Sequence, residues 1–170
     1  MAIVKSNQYV VMGVSGSGKS LIGAAFASAL GVDFVEGDGF HPAENVRRMA
    51  SGIPLTDADR AQWLRSLADR LGEAKTSGIG LVMSCSALKR SYRDVLRSKA
   101  SDLQLVFLRG DRELLAERLA SRRGHFMSPS LLDSQLTTLE EPATDEHAWV
   151  CDIREAPIDL VADLVARVSA

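Results

Sequence analysis

The octapeptide Gly13-Val14-Ser15-Gly16-Ser17-Gly18-Lys19-Ser20 satisfies the spacing G-x-x-x-x-G-K-[ST], and each residue type in it has a task at a phosphate chain. Glycines let the backbone turn its N–H groups inward and approach a ligand closely where a Cβ would obstruct. Lys19 has the reach to neutralise the β- and γ-phosphates, and the Ser20 hydroxyl is a ligand for the magnesium that accompanies them. The apolar run Gln8–Met12 before the motif reads as a buried strand and 21–30 after it as a helix. That is the context in which such a loop presents donors at a helix N-terminus. The octapeptide therefore assigns a nucleoside triphosphate site.

A second group of chemistry-bearing residues follows the next apolar run. In Phe34-Val35-Glu36-Gly37-Asp38, Asp38 leaves the end of a strand and points toward the γ-phosphate. There it acts either as acceptor for the attacking hydroxyl's proton or as a magnesium partner through water. Further cations are arranged with few local acids. Lys89, Arg93 and Arg97 stand at four-residue steps, so they repel one another on one helix face unless an anion joins them. Arg90 has Asp94 four residues on. Arg118 and Arg122, one helical turn apart, have only leucine or arginine three and four residues before them. They suit the ATP site, either stabilising charge on the transferring phosphoryl group, a catalytic task for Arg122, or stacking on adenine.

The elements that position these residues alternate. Strand-like runs fall at 9–12, 33–35, 80–84, 103–108 and 149–151. Helical periodicity lies between them: Trp63, Leu67 and Leu71 behind a Thr56-x-x-Asp59 capping signal, then Leu115 and Leu119, then Leu160, Leu164 and Val168. Alternation of this kind implies an α/β fold in three layers, a parallel sheet covered on both faces. Two stretches break it, 37–55 and 122–142. They are expected to be irregular covers over the carboxyl edge of the sheet, one above each substrate.

Composition narrows the alternatives. A chain of 170 residues, 46% apolar and 25% charged, has room for one globular domain. A net charge of −2 disfavours general nucleic-acid binding, which wants a basic surface. No apolar run approaches the ~20 residues of a membrane span. Cys85 and Cys151 sit in apolar runs without framework spacing, and no signal peptide opens the chain, so a cytoplasmic, reducing setting is expected. No Asn-Lys-x-Asp is present, and the third strand ends Met83-Ser84-Cys85 without a carboxylate. Both observations point away from guanine-nucleotide switches and, by fold analogy, toward small-molecule and nucleoside-monophosphate kinases.

Three further blocks carry a family resemblance. They are Gly37-Asp38-Gly39-Phe40-His41-Pro42 continuing to Arg60, then Cys85-Ser86-Ala87-Leu88-Lys89 with Tyr92-Arg93-Asp94, and Arg122-Arg123-Gly124-His125-Phe126-Met127 with Ser134-Gln135 and Leu139-Glu140-Glu141-Pro142. From about Tyr9 to Ile153 the chain resembles the gluconate kinases. It departs from their usual pattern at Glu36 (commonly Asp), Arg48 (commonly Lys) and Gln62 (commonly Pro). The resemblance implies ATP-dependent, magnesium-dependent phosphorylation of D-gluconate at its 6-hydroxyl by a homodimer with a nucleoside-monophosphate-kinase-like fold. It moves His41, otherwise a helix-capping residue before Pro42, toward binding a substrate hydroxyl. It also raises Arg48, explicable as a surface partner of Glu44, to a candidate for the gluconate carboxylate beside Lys89 and Arg93. His125, Phe126 and Met127 then belong to a lid, and Gln135 faces either the substrate or a neighbouring helix. A shikimate or nucleotide kinase, or an ATP-gated binding module, would share the phosphate loop and differ in what consumes ATP.

Overall fold

A computed structural model describes residues 7–122 and 129–170. The five apolar runs form β1 (Gln8–Met12), β2 (Asp33–Glu36), β3 (Leu81–Ser84), β4 (Gln104–Arg109) and β5 (Trp149–Asp152). They make one sheet in the order β2-β3-β1-β4-β5, and every neighbouring pair is parallel. β1, β3 and most of β4 are buried along their length, as expected of parallel strands covered on both faces. The chain leaves β1 in one direction for β2 and β3, then crosses to β4 and β5. The reversal places a ligand crevice at the carboxyl ends of β1 and its neighbours.

The helices are α1 (Lys19–Leu30), α2 (Ala43–Ala50), α3 (Asp57–Thr76), α4 (Arg90–Arg97), α5 (Arg112–Ser121), α6 (Pro129–Thr138) and α7 (Pro157–Ser169). Right-handed crossovers send α1 to one face and α3, α4 and α5 to the other; α7 returns to pack on α1. The capping signal read at Thr56 is realised as a reciprocal box, with the Thr56 hydroxyl accepting from Asp59 N and the Asp59 carboxylate accepting from Thr56 N. Trp63, Leu67 and Leu71 then form the buried stripe of α3. Cys85 and Cys151 are buried free thiols. Among the described residues no helix is long and apolar enough to cross a membrane.

Among the described residues, the two stretches expected to be irregular are largely helical. Residues Gly37–Phe40 form one tight 3₁₀ turn, and α2 follows with Pro42 as its N-cap, so the cap falls on Pro42 and not on His41, and the helix starts one residue later than expected. The polar α2 is held by Glu44 pairing with Arg47 and Arg48, and by Asn45 donating to Asp59 O at α3. In the second stretch, Pro129 opens α6 instead of interrupting it. Leu131 and Leu132 are buried, Leu136 and Leu139 pack on the core, and a two-pronged Arg112–Asp133 pair ties α6 to α5. His125, Phe126 and Met127 lie outside the described residues.

Candidate active site

The phosphate loop runs from the end of β1 into α1, turned by a Val14 O···H–N Ser17 bond. Gly18 caps α1 at φ 93°, ψ 22°, a left-handed conformation that a side chain would strain. Gly13 N donates to Ser86 O, which binds the loop to the segment after β3. Lys19 lies folded under the loop, with Nζ donating to Val14 O at 3.1 Å. Burial lowers its pKa; Asp38 and Glu36 pull the other way, while the charge of Arg122 adds to the lowering. Each of those side chains is therefore close enough to feel Lys19.

Glu36 is the acid that sequence reasoning passed over. At the end of β2 it sits level with Ser84 of β3, and one carboxylate oxygen accepts from Ser20 Oγ and the other from Ser84 Oγ, both at 2.5 Å. The acid bonded to the Ser20 hydroxyl is thus Glu36, where Asp38 had been the expected metal partner. The missing signal was topological: β2 is separated from β1 by β3, so nothing near Glu36 in sequence places it beside Ser20. Ser20 keeps its lone pairs while its proton is held by Glu36. One hydroxyl and one carboxylate are hard oxygen donors of the kind magnesium takes together with substrate phosphates and water. Among the described residues no larger cluster of metal-ligating side chains occurs.

Asp38 lies one turn further, in the Gly37–Phe40 segment, with its side chain 66% exposed. The turn is fixed from beneath. Gly37 passes so close to β3 that a Cβ there would fall 2.0 Å from Ser84 O, and Trp63 Nε1 donates to Gly37 O at 2.9 Å. His41 stacks on Trp63, centroids 4.0 Å apart and planes within 16°. The Asn45 amide gives one hydrogen to Asp59 O and faces His41 Nδ1 at 3.3 Å. That leaves the imidazole proton on Nε2, 4.0 Å from Asp38 Oδ1. Burial depresses the His41 pKa, partly countered by Asp38, so the ring is neutral at pH 7.

The cations expected to await an anion mostly have one already. Arg93 is fully buried and committed: Nε and Nη2 grip the Glu146 carboxylate at 2.8 and 3.0 Å, and Nη1 donates to Ala87 O and Leu88 O. Arg97 also reaches Glu146. The anion that joins this basic face is an internal glutamate 53 residues away, so Arg93 is a structural residue and no substrate contact. Arg90 pairs with Asp145 instead of Asp94, which goes to Arg97. Lys89 holds both oxygens of Asp57, a contact that raises its pKa, and Arg48 reaches Asp59 and Glu44. Arg118 Nη2 donates to Ile153 O at 2.5 Å, at the end of β5. Gln135 Oε1 accepts from Ser15 N in the phosphate loop at 2.8 Å, which sets it beside the nucleotide side of the site.

A phosphate loop opposed by two strand-end acids, on a sheet of this order, is the working edge of a small P-loop kinase. A family model described as an AAA domain matches residues 9–142. A gluconokinase of Gluconobacter oxydans is 50% identical over 98% of this chain and 94% of its own length. The thermoresistant gluconokinase of Escherichia coli is 42% identical over 92% and 90%. The crystal structure of a gluconokinase from Sinorhizobium meliloti superposes with a TM-score of 0.87 at 49% identity, covering 95% of this chain and 91% of that one. The chain belongs to the gluconokinase family.

Proposed function

We propose that the protein transfers the γ-phosphoryl group of ATP to the 6-hydroxyl of D-gluconate, giving 6-phospho-D-gluconate and ADP. The observation that carries the transfer chemistry is the convergence of Glu36 and Asp38, from the end of β2, on Ser20 and Lys19 of the phosphate loop. The acceptor is inferred from relatives that match almost the whole chain.

In this reading the loop N–H groups and Lys19 hold the phosphates, and Arg122 adds charge at the transferring group. Ser20 and Glu36 would hold magnesium, which when bound neutralises charge on the phosphate oxygens. Asp38 accepts the proton of the attacking hydroxyl, and the Nε2–H of His41 donates to a neighbouring oxygen of the acceptor. Arg118, at the end of β5, lies on the adenine side. Residues 37–62 cover the acceptor and 122–142 the nucleotide. A homodimer, from the family resemblance, and a cytoplasmic setting, from two cysteines without framework spacing, complete the proposal. Catalysis is then mainly positioning and charge neutralisation.

The test is coupled ADP detection with gluconate, glucose, shikimate and AMP at one ATP concentration. Gluconate and glucose share a primary 6-hydroxyl and differ at the carboxylate end. A site with charged donors rejects a ligand that leaves them unpaired, by as much as roughly 10⁴. Comparable kcat/KM for glucose, or preference for shikimate or AMP, would refute the assignment.

A further inference from the structure

Four cations surround the acceptor side: Arg47, Arg48, Lys89 and Arg60. The first three hold carboxylates of Glu44, Asp59 and Asp57. Arg60, in the first turn of α3, holds none. Its Nη1 is occupied, donating to Leu55 O at 2.6 Å and to Tyr92 Oη at 3.1 Å. The guanidinium also lies over the Tyr92 ring, 5.4 Å from its centroid. The group is braced from one side, with Nε and Nη2 making no hydrogen bond to any described residue.

That remaining edge is the one a carboxylate fits. Nε–H and Nη2–H run parallel and match the two oxygens of a carboxylate. The protein uses this edge for that purpose repeatedly: Arg93 on Glu146, Arg109 on Glu141 and Arg112 on Asp133 each bind through Nε and Nη2. The position also suits an open-chain acceptor. Asp38 Oδ1 lies 4.0 Å from His41 Nε2, His41 stacks on Trp63, three residues on from Arg60 in α3, and Asn45 joins His41 to Asp59 beside Arg60. A chain laid along that line, with its reacting hydroxyl at Asp38, carries its other end past His41 toward Arg60.

We propose that Arg60 receives the carboxylate of the sugar-acid substrate through its Nε/Nη2 edge, with Leu55 O and Tyr92 holding the guanidinium in place. This rests on the acceptor assignment above and names the residue that enforces it. Arg48 and Lys89, the earlier candidates, are held by Asp59 and Asp57 and act at most as a surrounding positive field.

The experiment compares D-gluconate with D-glucitol, the same six-carbon chain bearing CH₂OH in place of the carboxylate, in wild type, Arg60→Ala and Arg60→Lys. Loss of a charge-assisted pair predicts that Arg60→Ala lowers kcat/KM for gluconate roughly 10²-fold, through KM for gluconate with KM for ATP unchanged. The glucitol rate falls far less, so the preference for gluconate collapses; Arg60→Lys recovers part of it. Equal losses on both substrates, or an unchanged KM for gluconate, would overturn the proposal. Thermal midpoints check folding, and Arg60→Gln, which keeps a donor for Leu55 O, replaces the alanine variant if that one is unstable. A wild type that prefers another sugar acid and loses it in Arg60→Ala would refute the gluconate reading while upholding Arg60. Wild-type preference for an uncharged acceptor would overturn both.

Discussion

Replacing Arg93 with Met should unfold the protein at lower temperature and leave its substrate affinity alone. The Arg93 side chain is 0% exposed and Glu146 1%, so removing the cation leaves a carboxylate out of water with its two-pronged partner gone and only Arg97 and the Ala143 N–H to hold it. Breaking such a pair from one side costs about 3–5 kcal/mol. The Glu146 carboxyl leads to a similar figure. Burial would push its pKa up, but bonds from Arg93, from Ala143 N–H and from Arg97 outweigh that and hold it at about 2. Against an ordinary glutamate near ~4.3, at about 1.4 kcal/mol per pH unit, this is about 3 kcal/mol. Because the folded value is the lower one, the contribution is complete above the ordinary value and disappears as pH falls toward 2. For a domain of this size the melting temperature should drop by about 6–20 °C. Thermal unfolding of Arg93→Met, with gluconate kinetics measured well below its midpoint, is the assay. The double variant Arg93→Met with Glu146→Leu should regain part of the loss, since no charge is then left unpaired. An unchanged melting temperature with a raised KM for gluconate would refute the structural role and return Arg93 to the substrate site.

Other consequences can be checked alongside. Lys19→Ala should fold normally and lose on the order of 10² or more in kcat, measured as ADP release at saturating substrates. Glu36→Gln keeps the shape that bridges Ser20 and Ser84 but not the charge, so a magnesium titration should show a higher half-saturating concentration with ATP affinity nearly intact. His41 is buried with a depressed pKa, so its contribution to stability is complete above its ordinary value near ~6.5 and falls away on acidification below it. His41→Phe, which can keep a stacked ring on Trp63, should flatten the stability profile below about pH 6.5, and an unchanged slope in urea unfolding on acidification would count against the assignment.

The phosphate loop, the five strands and the long α3 were legible because each is specified by neighbours in sequence: a fixed motif, apolar runs, a four-residue stripe behind a cap. What was not legible depended on partners far along the chain. Nothing near Arg93 announces Glu146, and local spacing offered Asp94 to Arg90 when the fold gives it Asp145. The helix α6 was concealed by Pro129, which reads as a breaker until its place at the first helical position is known. Glu36 was hidden by sheet order, since its reach to Ser20 follows from β3 lying between β2 and β1. The same limit explains Arg60, whose significance emerges only once the acids claimed by its neighbouring cations have been assigned.

The stacking of Trp63 beneath His41 has an optical consequence. The chain has two tryptophans, and the other, Trp149, lies on β5 near Tyr9 and Arg167, away from the acceptor side. Trp63 is sealed from solvent, bonded through its indole N–H to the backbone of Gly37, and in face contact with an imidazole. Any displacement of the Gly37–His41 turn therefore alters the surroundings of a native chromophore without an added label. With Trp149 replaced by Phe, the remaining emission would follow events at the acceptor side in real time, and stopped-flow mixing would time them against the appearance of ADP.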